Sequence, residues 1–231
     1  MAKTTPQRRK QQQQTRQTNW LVIGGLIAVG VLVFGGLIYL ALRPTESAPV
    51  QALAEYCTDN SDRCAVTGEA SAPVTLVEVA DFGCTHCTTF HNETAGPLKE
   101  QYVDTGTVRW VALPYSLNRS TLAAAASAMC ANEQDSYFEY ANTLFTVEPV
   151  ETRLSMPGFQ QAAEAVGLDV DQFTSCVNSE RYVETVNENI LAASRVGVSG
   201  TPTFFLNDEE INGAQPLAAF GQVIEGLLAA Q

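Results

Sequence analysis

The chain has 231 residues, with 13 lysines and arginines against 25 aspartates and glutamates and a formal net charge of −12. The first 43 residues hold six of the basic residues and no acid, so the remainder keeps seven basic residues against 25 acids, a net charge of −18. Such a surface field repels phosphate backbones and anionic headgroups, which excludes nucleic-acid binding through general electrostatics. The acids are read as a solvated outer face; attraction of basic client proteins is the other use they allow.

Residues 1–19 form a basic head with Lys3, Arg8, Arg9, Lys10, Arg16 and a Gln run at 11–14. Residues 20–42 are apolar and uncharged, and as a helix these 23 residues would reach about 34 Å, enough for a bilayer core. The stretch exceeds the usual apolar region of a cleavable signal, so it is read as a retained transmembrane signal anchor, with cleavage near Ala48 as the alternative. The basic head places the N-terminus in the cytoplasm and the rest of the chain outside, on a single-pass anchor in the cytoplasmic membrane.

Residues 43–70 read as a linker with a small segment carrying Cys57 and Cys64. Residues 74–80 are rich in Val and Leu, as in a buried strand, and residues 88–102 can continue as a helix. A second strand is expected at 107–113, ended by Pro114. From 118 to 195 the pattern is helical, with Gly167 as one stop. Residues 203–206 and 210–212 read as a hairpin around Asn207-Asp208, and 216–230 as an amphipathic closing helix. This order predicts an α/β fold, a sheet covered by helices with a helical insertion at about 118–195, in a domain spanning 71–231.

All six cysteines, Cys57, Cys64, Cys84, Cys87, Cys130 and Cys176, follow the apolar span, as suits an oxidising compartment. Cys84-Thr85-His86-Cys87 lies between the first strand and the helix after it, which puts Cys84 at a helix N-terminus. Free N–H groups and the helix dipole there favour a thiolate, the form that attacks disulfides and leaves from them. Half of a zinc site is the other use of C-x-x-C, but a second C-x-x-C or a His pair is missing, since His86 and His91 are the only histidines. His86 can donate a hydrogen bond or partial charge to the Cys84 thiolate, and His91 reads as a surface residue. Glu78, in the strand, is a candidate proton acceptor for Cys87, with Asp81 as its competitor at the exposed strand end; a solvent-facing strand residue is the plain alternative for either. The other four cysteines allow three pairings; Cys130–Cys176 and Cys57–Cys64 are preferred, as structural disulfides.

The segment from Ala72 to Cys87 resembles the active-site segment of DsbA-like thioredoxin-fold oxidoreductases, and Gly200-Thr201-Pro202-Thr203 is similar to their cis-proline loop. Gly213-Ala214-Gln215-Pro216 matches a segment of membrane-anchored members. The resemblance implies a thioredoxin fold with an inserted helical domain, a buried acid at Glu78, and a cis Thr201–Pro202 loop that pairs with extended substrate. Those oxidases carry Cys-Pro-His-Cys; here Thr85 replaces the proline, which bears on the redox potential more than on the reaction. The expected function is a thiol–disulfide oxidoreductase for unfolded or partly folded exported proteins. It needs no cofactor and no metal, and the resemblance implies a membrane redox partner that restores the disulfide. A reductase or isomerase of the same fold, or a non-catalytic chaperone or metal-binding module, is the rival.

Overall fold

The computed structural model describes residues 23–34, 49–59, 62–207 and 209–230, and the chain divides into two units, 1–46 and 47–231. In the first, residues 23–34 form helix α1, whose Ile23, Leu26, Ile27, Leu32 and Phe34 are all exposed. No helix among the described residues is long and apolar enough to cross a membrane. The basic head and the flanks of the 20–42 span lie outside the described residues, as does Asp208 of the expected turn.

The second unit is built on a five-stranded mixed sheet in the order β1-β3-β2-β4-β5. The strands are β1 (Ala65–Thr67), β2 (Val74–Ala80), β3 (Val108–Pro114), β4 (Thr203–Leu206) and β5 (Glu209–Asn212). β2 and β3 are parallel, joined by a helical crossover; β1 lies antiparallel to β3, and β4 antiparallel to both β2 and β5. The β2 run is buried because it is central: Glu78 stands between Ala112 of β3 and Phe204 of β4.

Period-two alternation sorts the strand side chains onto two faces. Leu76, Trp110, Phe204 and Leu206 meet Phe90, Leu98, Phe220 and Ile224 on one face. Those partners come from the crossover helix and from α11 (Leu217–Ala229). Phe90 packs against Trp110, Phe204 and Phe220 with ring centroids 6.0, 4.5 and 5.6 Å away. Val77, Val79, Val111, Leu113 and Phe205 face the other way, toward Leu53, Cys57, Ala192 and Ala193. That layer is α2 (Pro49–Asp59) with the end of α10 (Val183–Arg195). The segment expected as a linker with a small cysteine-bearing piece therefore supplies a helix that covers the sheet, and the last helix of the expected insertion reaches the sheet as well.

The crossover helix begins as α3 (Thr85–Phe90), widens into a π-type turn at His91–Ala95, passes through α4 (Gly96–Leu98) and ends in a second π-type turn at Lys99–Val103. The insertion consists of α5 (Leu122–Asn132), α6 (Tyr137–Thr146), α7 (Val150–Arg153), α8 (Met156–Ala165) and α9 (Val170–Asn178). Their apolar core is continuous with Phe82 and Cys87. The Ala-rich α5 is buried nearly all round, since small side chains let its neighbours approach closely. Cys130 of α5 bonds Cys176 of α9 across a sequence separation of 46, and Cys57 bonds Cys64 across a separation of 7.

Candidate active site

Cys84 is the N-cap of α3, in extended backbone, and its N–H donates to the Asp81 carbonyl at 3.1 Å. Asp81 organises this turn. Its Oδ1 accepts from the Gly83 N–H at 2.6 Å, and its Oδ2 accepts from the Leu117 N–H at 2.5 Å and the Thr121 hydroxyl at 2.7 Å. The Asp81 N–H in turn points at the Cys87 sulfur, 3.4 Å away. Asp81 is 1% exposed, so the expected solvent-facing strand end is a buried clamp; three donors satisfy a carboxylate that burial alone would penalise. Gly83 is needed for closeness, because a Cβ there would lie 2.5 Å from the Thr121 methyl.

The two cysteines are free thiols with opposite surroundings. Cys84 is partly exposed and Cys87 is 0% exposed. Hydrogen bonding from the Cys87 thiol, with the Thr201 hydroxyl and the main-chain N–H groups of Cys87 and His86, outweighs burial and holds the Cys84 thiol down to about 5. Burial, reinforced by a hydrogen bond to Cys84 and by its charge, pushes Cys87 well above its ordinary value. The His86 main-chain N–H is one of the donors to Cys84, and the His86 side chain is exposed.

The Thr201–Pro202 peptide is cis and brings the Thr201 carbonyl 3.3 Å from the Cys84 sulfur. The Thr201 hydroxyl is buried and has no oxygen or nitrogen partner among the described residues, so its hydrogen bond is available to the Cys84 sulfur anion. Thr203, 2% exposed, starts the strand that follows and pairs with Val79. The active-site turn after β2 and the cis-proline loop before β4 therefore meet at adjacent strand ends.

Glu78 is 3% exposed, on the face of the sheet beneath α3. Its Oε2 accepts from the Trp110 indole at 3.0 Å, and its Oε1 lies 2.8 Å from His91 Nε2. The His91 side chain is 5% exposed and stacks on Phe145 at 4.1 Å, so it is a buried partner of Glu78 rather than a surface residue. Its position four residues after Cys87, on the same helix face, is the one sequence signal that points there.

Arg153 was not visible in the sequence as a site residue. It is 3% exposed and reaches from the insertion to the active-site helix. Its guanidinium donates to the Phe82 carbonyl at 3.4 Å, the Thr88 hydroxyl at 2.6 Å, the Val147 carbonyl at 3.1 Å and Glu148 at 2.7 Å. Only the folding of the insertion over the helix start brings these acceptors together.

Residues 60–226 match the family model Thioredoxin_4, described as thioredoxin. A probable disulfide bond formation protein D from Bacillus anthracis is 26% identical, over 83% of this chain and 89% of its own. The Na(+)/H(+) antiporter NhaA 3 of Salinispora tropica is 31% identical over 71% of this chain, yet the match spans only 24% of the antiporter's length. Among solved structures, alpha-DsbA1 of Wolbachia pipientis superposes with a TM-score of 0.63 at 26% identity, over 71% of this chain and 90% of its own. A C-x-x-C of unequal thiols facing a cis-proline, on a sheet of this order with a helical insertion, agrees with the family match: the chain belongs to the thioredoxin family, as a DsbA-like protein-disulfide oxidoreductase.

Proposed function

We propose that the enzyme oxidises cysteine pairs in unfolded or partly folded exported proteins. The observation that carries this direction is the depressed Cys84 thiol beside a raised, buried Cys87. A stabilised thiolate favours the reduced enzyme, and an enzyme that prefers to be reduced is a strong oxidant of its clients. In the oxidised form a client thiolate attacks Cys84, the Cys84–Cys87 bond breaks, and its electron pair leaves on Cys87. A second client thiolate then attacks the client sulfur of the mixed disulfide. Cys84 departs as a stable thiolate, the client holds a disulfide, and the enzyme holds the two electrons.

Each site residue has a part in this scheme. Cys84 exchanges with the client, Cys87 opens and closes the resident disulfide, and the His86 N–H and Thr201 hydroxyl stabilise the Cys84 anion. Thr201 and Pro202 offer an extended backbone edge for the client chain to pair with. Glu78 is the buried base for the Cys87 proton. Cys57–Cys64 and Cys130–Cys176 are structural.

The apolar run at 20–42, of which 23–34 is a helix with exposed apolar side chains, supports a membrane anchor with the basic head in the cytoplasm and the enzyme outside. Restoring the Cys84–Cys87 disulfide requires an electron acceptor, and a membrane redox partner coupled to a quinone fits a tethered enzyme. The name of the Bacillus anthracis relative, a probable disulfide bond formation protein, points in the same direction.

A redox titration of the Cys84/Cys87 couple against glutathione tests the direction. The expected potential lies near that of strong oxidants, about −120 mV; a value near about −270 mV, as in thioredoxin, assigns a reductase instead. Oxidation of a reduced unfolded protein that survives Cys84→Ala would exclude the mechanism.

A further inference from the structure

We propose that Arg153 is a positioning residue for disulfide exchange: from the insertion it braces the turn that carries Cys84 and Cys87 once their disulfide is open, and so favours the dithiol form of the enzyme. The inference rests on the oxidoreductase reading above and deepens it, because it names a group that makes the open form the preferred one.

The geometry is a bracket. Arg153 Nη1 donates to the Phe82 carbonyl at 3.4 Å and to the Thr88 hydroxyl at 2.6 Å, so one nitrogen grips the chain two residues before Cys84 and one residue after Cys87. Thr88 passes the grip on. Its hydroxyl has a single proton; with Arg153 donating to the oxygen, that proton goes to the Cys84 carbonyl at 3.2 Å. The Thr88 N–H donates to the same carbonyl at 3.1 Å. These two bonds close the first turn of α3, the turn whose His86 and Cys87 N–H groups supply hydrogen bonds to the Cys84 sulfur.

The bracket is anchored on its far side. Arg153 Nε donates to the Val147 carbonyl at 3.1 Å and Nη2 to Glu148 at 2.7 Å. The Arg153 main-chain N–H donates to the Pro149 carbonyl at 3.1 Å. Helix α8 presses on α7 so closely that a Cβ on Gly158 would lie 2.1 Å from the Thr152 carbonyl oxygen, which fixes the backbone beside Arg153. Burial of the guanidinium keeps water from competing for these acceptors. A planar fork that serves several acceptors in fixed directions is what arginine offers and lysine does not.

The bracket matters unequally in the two redox states. In the oxidised enzyme the Cys84–Cys87 bond closes a ring over residues 84–87 and restricts the turn by itself. When a client thiolate opens that bond, the covalent restraint is gone and hydrogen bonds must hold the turn. The two thiols are free in this structure, and the bracket is complete around them. Without Arg153 the open turn relaxes, the N–H donors move off the Cys84 thiolate, and the dithiol loses more stability than the disulfide.

The test is the equilibrium of the full chain with glutathione, read by acid quenching and mass spectrometry. In it the enzyme disulfide and two glutathione thiols give the enzyme dithiol and one glutathione disulfide. Arg153→Met keeps an unbranched apolar stem and removes the fork. Its equilibrium should shift toward the enzyme disulfide by at least about tenfold, and denaturant unfolding should show the dithiol form losing more stability than the disulfide form. Equal losses in both forms with an unchanged equilibrium mark a merely structural arginine and overturn the proposal. Thr88→Val removes the hydroxyl link, leaves Arg153 in place, and decides the case should Arg153→Met misfold. A shift of about threefold in the same direction, cancelled in Thr88→Ser, supports the bracket; a wild-type equilibrium in Thr88→Val overturns it. A wild-type potential near that of thioredoxin, with the Arg153→Met shift still present, removes the oxidase reading and leaves the bracket standing.

Discussion

The enzyme carries sulfur in two contrasting settings. At the start of α3, Cys84 is partly exposed, ringed by N–H and O–H donors, and paired with a buried Cys87. In the insertion, Cys130 and Cys176 are each 2% exposed, joined to each other and embedded in apolar side chains. The same element is reactive in one place and inert in the other. Donors that stabilise an anion make the first bond exchangeable, while burial in the apolar core of the insertion keeps the second from attack. Reactivity was decided by what surrounds the sulfur, and the comparison can be broken from either side.

The largest effect should come from Cys84→Ala, which removes the exchanging sulfur. Oxidation of a reduced unfolded protein should drop to the uncatalysed rate, while the melting temperature of the reduced protein at pH 5 stays within a few degrees. Converting Cys130 and Cys176 to Ala should do the reverse. Opening a loop with a sequence separation of 46 should cost about 4 kcal/mol in denaturant unfolding, with the alkylation midpoint of Cys84 left near 5. The same change at Cys57 and Cys64, separated by 7, should cost only about 2 kcal/mol.

Protonation sharpens the contrast. The folded Cys84 thiol sits near 5, below its ordinary value of 9.0. Its thiolate therefore adds stability to the reduced protein that is fully present above pH 9 and lost as pH falls through 5. The raised Cys87 acts oppositely and only above its ordinary value, where the unfolded chain ionises and the folded one does not. Chemical denaturation should thus find the reduced wild type gaining stability over Cys84→Ala from pH 5 to 9. No gain would contradict the thiolate assignment. The smallest change tests one donor: Thr201→Val should raise the Cys84 alkylation midpoint and shift the dithiol–disulfide equilibrium toward the disulfide by about tenfold.

Much of the fold was legible from local chemistry. Residues 74–80 and 107–113 were legible as strands from short runs rich in Val, Leu and other apolar residues, and C-x-x-C at a strand–helix junction pointed to a redox centre. The missed parts share one physical cause. Asp81 and His91 looked like exposed polar residues because nothing local shows that Leu117, Thr121 and Asn142 arrive to satisfy them. Arg153 looked ordinary because its acceptors, Phe82 and Thr88, lie about 65 to 71 residues away in sequence. Nothing local at 43–70 showed that α2 covers the sheet, because the burial of Leu53 and Cys57 is explained only by the sheet face opposite α3.

The order of residues alone determined the strand pattern, the cysteine motif, the acidic balance after residue 43 and the apolar segment near the N-terminus, since each depends on neighbours within a few positions. The tertiary structure decided which polar groups are buried and which partners they meet: the clamp at Asp81, the grip of Arg153, the cis-proline loop against Cys84, and the Glu78–His91–Asn142 chain. Those assignments depend on contacts between distant segments, and desolvation acts only once such contacts have closed.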